Sequence, residues 1–89
     1  MSRIEKEITV EADQGLHARP AALFVQIANK FDAEITVRKG PECVNGKSIM
    51  GILMLAAEKG SKLIVSAEGD DAETASNELI NFLTNTISE

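Results

Sequence analysis

The sequence alternates between stretches whose hydrophobic residues recur about every 2 positions and stretches where they recur about every 3.6, and few folds accommodate that alternation in so short a chain. Ile4, Ile8 and Val10 share one face of a period-two segment with Glu5, Glu7 and Thr9 on the other, which predicts a half-buried strand. "EADQG" breaks the pattern. In residues 18–31 the polar Gln26, Asn29 and Lys30 fall at helical spacing on one exposed face, so Leu23, Phe24, Ile27, Ala28 and Phe31 are expected to turn inward. Ile35 and Val37 lie on one side of a second strand over 34–38. A turn through Gly40 and Pro41 leads to a short third strand around Cys43 and Val44.

After "NGK", the segment "SIMGILMLAAEKG" begins with Ser48 in N-cap position and ends on Gly60, which suits a C-cap, so it reads as a short helix despite Gly51. "KLIVSAE" (62–68) supplies a fourth strand with Leu63, Val65 and Ala67 inward. The final helix opens with Asp70 and Glu73 at capping-box spacing and repeats apolar residues at Ala72, Ala75, Leu79, Phe82 and Leu83, running to the end at Glu89. The order β-α-β-β-α-β-α describes an α+β fold: an open-faced β-sandwich, with a four-stranded antiparallel sheet and three helices on one face. No linker or repeat divides residues 1–89, so one domain is expected.

Composition narrows the function. Of 89 residues, 9 are Lys or Arg and 14 are Asp or Glu, giving a net charge of -5, which is the wrong sign for gripping nucleic-acid phosphates. With no Trp, no Tyr and 3 Phe, platforms for stacking bases are missing too. One His and one Cys cannot furnish the ligands of a zinc site, so neither metal nor cofactor is expected. Cys43 has no partner for an intrachain disulfide and reads as a small buried hydrophobe. The longest apolar run, Ile49 to Ala57, is far short of the roughly 20 residues that span a bilayer, and the N-terminus lacks the pattern of a secretion signal, so the expected location is the cytoplasm, without membrane insertion.

The single His17 sits in "GLHARPAALF", at or beside the N-cap of the first helix, with Gly15 turning the chain and Pro20 in the first turn, where its missing N–H costs nothing. Unpaired backbone N–H groups and the positive pole of the helix converge there, a place suited to an anion. Arg19 in the same turn is slightly unfavourable for the helix, by about 0.3–1 kcal/mol, unless it meets a negative ligand. A neutral imidazole at that place has a ring nitrogen free to attack phosphorus, and the charge on a transferred phosphoryl group would meet the helix N–H groups and the Arg19 guanidinium. A hydrolase would need a base, an oxyanion device and a cleft beyond these groups; the inventory suits a protein that receives and surrenders a group under the action of others.

"GLHARPAA" and "NGKSIMGILML", together with "FDAEITV" and "SAEGDDAE", resemble the histidine-containing phosphocarrier family HPr of the bacterial phosphoenolpyruvate-dependent phosphotransferase system, and the resemblance covers essentially the whole chain. It implies that His17 takes a phosphoryl group on its δ1 nitrogen from enzyme I and passes it to a histidine of an enzyme IIA domain. Arg19 matches the phosphate-stabilising arginine and Pro20 the helix-fixing proline. Residues matching Ala22, Val25 and Gln26 on the first helix and Ile49, Met50 and Leu53 on the second form the family's partner-binding surface. A monomer is expected.

Ser48 matches the serine on which an HPr kinase/phosphorylase acts in many bacteria, so regulation through a phosphoserine, with a transcriptional regulator as partner, is a second implied role. Three alternatives stay open: a carrier of the nitrogen-related branch, hinted at by "FDAEITVRKGPE" and "ILML"; a protein whose main output is Ser48-dependent binding, although family members specialised that way lack the active histidine; and a domain without phosphoryl chemistry, for which the two-site match would be accidental.

Overall fold

Strand residues that alternate in sequence also stack across the sheet in this computed structural model, which describes residues 2–87. The elements are β1 (Arg3–Thr9), α1 (Ala18–Ala28), β2 (Glu34–Lys39), β3 (Glu42–Asn45), α2 (Ile49–Met54), β4 (Lys62–Glu68) and α3 (Ala72–Thr86), the order expected. All pairings are antiparallel and the strand order is β1-β4-β2-β3. The register aligns Ile4, Ala67 and Ile35 in one row, Val65, Val37 and Val44 in the next, and Ile8 with Leu63. Because side chains alternate between faces, these rows make one apolar face, and the helices cover it with Phe24 and Ala28 of α1, Ile52 of α2, and Ala75, Leu79 and Leu83 of α3, all buried.

The other face of the sheet is polar. Arg3 bridges Glu5 at 3.0 Å and Glu68 at 3.3 Å, and the Ser66 hydroxyl donates to Glu5 at 3.2 Å. The Arg3 guanidinium, and after it the Ser66 hydroxyl, hold the Glu5 carboxyl below its ordinary value of 4.5. A lowered carboxylate contributes stability that is present above its unfolded value and is lost as pH falls through the folded one. Glu5→Gln should therefore lower Tm slightly at pH 7, and the gap from wild type should close on acidification below the usual carboxylate range, as thermal melts across pH 7 to 3 would show.

Several expectations need correction at element ends. The first helix stops at Ala28 rather than 31, where the chain tightens into i to i+3 turns: Lys30 N–H donates to Ile27 O at 3.0 Å and Phe31 N–H to Ala28 O at 3.2 Å, and just beyond the helix Lys47 Nζ donates to Phe31 O at 2.6 Å. The second helix ends at Met54, not Gly60, since Ala56 takes a left-handed conformation that breaks it. No capping box forms at α3. Its N-cap is Asp71, whose carboxylate makes no cap bond and instead accepts the N–H groups of Asp32 at 2.9 Å and Ala33 at 2.8 Å, pinning the turn before β2. Leu23 points outward, 41% exposed, and Cys43 is exposed on the edge strand β3. The expected run of the last helix through Ser88 and Glu89 lies outside the described residues.

Candidate functional site at the start of the first helix

His17 is the N-cap of α1, in extended backbone (φ -92°, ψ -170°). The first intrahelical bond runs from Ala21 N–H to His17 O at 3.0 Å, so the N–H groups of Ala18 and Arg19 precede the ladder and Pro20 has none to offer. The His17 side chain is exposed and makes no capping bond. No acidic residue occupies the first turn, and Arg19 forms no ion pair among the described residues. A fixed pole of donors, one guanidinium and one accessible imidazole are thus collected within three residues, an arrangement that can accept a phosphoryl group and hold its oxygens.

Three other segments set the shape around His17. The loop before it turns at Gly15, whose φ of +66° favours glycine and whose α-carbon packs on the Ala57 carbonyl. Pro20 is buried and seats the first turn of α1. At the far side, Ile87 O accepts the N–H groups of Glu11 at 2.6 Å and Ala12 at 2.9 Å, tying the end of α3 to the same loop. Between them lies a cavity of about 390 Å³ lined by His17, Arg19, Pro20 and Leu23 on one side and by Phe82 and Thr86 on the other.

The anticipated docking residues fall on two helices that pack together, α1 and α2. Gln26, Ile49 and Met50 are exposed, while Ala22, Val25 and Leu53 are half-buried. All four exposed large hydrophobic residues among the described ones, Leu23, Ile49, Met50 and Met54, belong to these two helices. Leu23 and Met54 were missed from sequence. Helical spacing could have found them: Leu23 follows Arg19 by four residues and Met54 follows Met50 by four.

Ser48 caps α2 as expected, with Oγ accepting the Gly51 N–H at 3.1 Å. Gly51 itself lets α2 lie close to β3, where a Cβ would come within 3.3 Å of both Asn45 O and the Val44 side chain. Ser48→Ala removes the cap acceptor and should cost about 1 kcal/mol, a fall in Tm of about 4–8 °C that calorimetry would register. Among the described residues no cluster of His, Cys, Asp or Glu can hold a metal ion, and no helix is long and apolar enough to cross a membrane.

Comparison with known proteins shows the family. A family model described as "PTS HPr component phosphorylation site" matches residues 4–85. The HPr-like protein Crh of Halalkalibacterium halodurans is 48% identical over 80 residues, covering 90% of this chain and 95% of that protein. The phosphocarrier protein HPr of Pseudomonas aeruginosa is 44% identical over 84 residues, covering 93% of each. Among solved structures, the crystal structure of HPr from Bacillus anthracis superposes with a TM-score of 0.85 at 46% identity, covering 92% of this chain and 98% of that one. With the same sheet and helices, a similar length and nearly half its residues in common with such proteins, the chain belongs to the HPr family of phosphocarrier proteins.

Proposed function

We propose that this chain carries phosphoryl groups on His17 Nδ1 between enzyme I and enzyme IIA domains of the phosphotransferase system. The observation that carries the reading is an exposed imidazole, uncommitted to any cap bond, at the N-terminal pole of an 11-residue helix beside Arg19. In the charging step the Nδ1 lone pair attacks the phosphorus presented by enzyme I. A nitrogen–phosphorus bond forms as the bond to the donor atom breaks, and the bonding pair leaves with the donor. The Ala18 and Arg19 N–H groups and the Arg19 guanidinium then face the phosphoryl oxygens, and discharge to enzyme IIA reverses the sequence. This chain supplies an acceptor and an electrostatic cradle, and the partners supply the rest of the catalytic machinery.

The partners dock on the largely apolar surface of α1 and α2 formed by Ala22, Val25, Gln26, Ile49, Met50 and Leu53, with Leu23 and Met54 extending the patch. Methionines suit a surface that must fit several partners in turn. Every group named comes from one chain, so a monomer suffices, and a cytoplasmic location accords with these partners. Ser48 lies beside the same patch. A phosphate there would bring about −1.5 to −2 charge next to Ile49 and Met50 and weaken apolar docking, which makes Ser48 a regulatory site for an HPr kinase/phosphorylase. "NGKSIMG" favours the sugar branch over the nitrogen-related one, and comparing discharge to sugar-type and nitrogen-type enzyme IIA domains decides between them.

The test of the carrier role is incubation of the purified chain with enzyme I and labelled phosphoenolpyruvate. Label that is acid-labile, base-stable and mapped to His17 is expected. No label, from an enzyme I that charges another carrier in the same assay, overturns the assignment.

A further inference from the structure

Ala56 is the one non-glycine residue among those described with a positive φ, +49°. Alanine adopts that left-handed conformation only at a cost that glycine avoids. The strain lies at the end of α2, where the Leu55 and Ala56 N–H groups donate to Ile52 O at 3.2 Å and Leu53 O at 3.1 Å before the chain reverses. The reversal delivers buried Ala57 to the loop ahead of His17. Ala57 O accepts the Leu16 N–H at 2.9 Å, and a Cβ on Gly15 would collide with the same carbonyl oxygen. Further along, Val10 N–H donates to Ser61 O and Gly60 N–H to Val10 O, each at 2.8 Å, and Lys59 pairs with Asp13 at 3.0 Å.

These contacts bear on the site because, among the described residues, no capping hydrogen bond aims the His17 side chain. The place from which the imidazole projects is therefore set by the backbone that carries it. The peptide joining Gly15 to Leu16 is held by Ala57 O on one side, and the helical bond from Ala21 N–H to His17 O holds the chain on the other, which leaves few torsions between the two anchors. We infer that the Ala56–Ala57 turn is a positioning element for His17, in which a strained alanine confines the Ala57 carbonyl and that carbonyl sets the approach of the imidazole to an incoming phosphoryl group. The inference rests on the acceptor role proposed above for His17.

Two variants test it, with charging by enzyme I followed at several carrier concentrations. Ala56→Gly relieves the left-handed strain but widens the torsional range of the turn. It should raise Tm by a few degrees while lowering kcat about threefold at unchanged KM, since small misplacements of a reacting group are costly to the chemical step. Gly15→Ala drives a methyl group into the Ala57 carbonyl and should lower kcat about tenfold or more, scaled to the folded fraction, with the His17 ring resonances displaced. A merely structural turn would move rate and stability together, so opposite changes in Ala56→Gly are the distinguishing result. A wild-type kcat in either folded variant overturns the inference, and if Gly15→Ala does not fold, Ala56→Gly decides alone. A wild-type chain that takes no label from a demonstrably active enzyme I instead withdraws the acceptor role, and the positioning role with it.

Discussion

His17→Ala should lose phosphoryl acceptance from enzyme I by on the order of 10³-fold or more, with no acid-labile label remaining, because the nucleophile itself is gone. The same variant should melt within about 2 °C of wild type, since the imidazole is exposed and caps nothing. The two results together matter more than either alone. A loss of labelling with an intact melt assigns the chemistry to the ring; residual label at the wild-type rate places the acceptor elsewhere and overturns the proposed role. Labelling assays paired with calorimetry on the same preparation make the measurement.

Phe24→Ala should have the largest effect on stability. Phe24 is 1% exposed and is the largest side chain that α1 contributes to the core. Truncating such a residue removes its transfer free energy and leaves a cavity, together costing about 3–5 kcal/mol, out of a total that for domains of this kind is roughly 5–15 kcal/mol. The corresponding fall in Tm is roughly 12–40 °C. Leu23→Ala, one position earlier but pointing outward, should cost far less and should instead raise the KM for enzyme I. Thermal melts of the pair separate the face of α1 that holds the helix in place from the face that partners touch. Equal destabilisation by the two would contradict the orientation described for α1.

Local pattern was a good guide wherever one interaction dominates a segment. Alternation at Ile4 and Ile8, or at Leu63, Val65 and Ala67, is dictated by burial of one sheet face, and the strands and their inward residues follow it. Ser48 capped its helix because its acceptor lies within the same turn. Where a partner distant in sequence competes, the pattern misled. Asp71 gives its carboxylate to Asp32 and Ala33 rather than to its own helix, Lys47 holds the carbonyl of Phe31, 16 residues before it, in the turn beyond α1, and Ala56 stops α2 where the helix-forming run "ILMLAAE" continues. For the candidate site, the placement of His17, Arg19 and Pro20 at a helix start was legible from "GLHARP". The grip of Ala57 on the loop before it was not, since a carbonyl of one segment accepting from another leaves no mark on composition or periodicity.

Strand order has a consequence for how the chain acquires its structure during synthesis. β4 is the last strand made, yet it lies inside the sheet and bonds to both β1 and β2. As the chain emerges from the ribosome, only the β2–β3 hairpin can pair locally, while β1 must wait, unpaired, until residues 62–68 appear. Closing so long a loop before its contacts give anything back makes the pairing late and comparatively slow. A nascent chain stalled before β4 should therefore remain protease-sensitive along β1, and release of the final third should convert the whole chain to the resistant form in a single step.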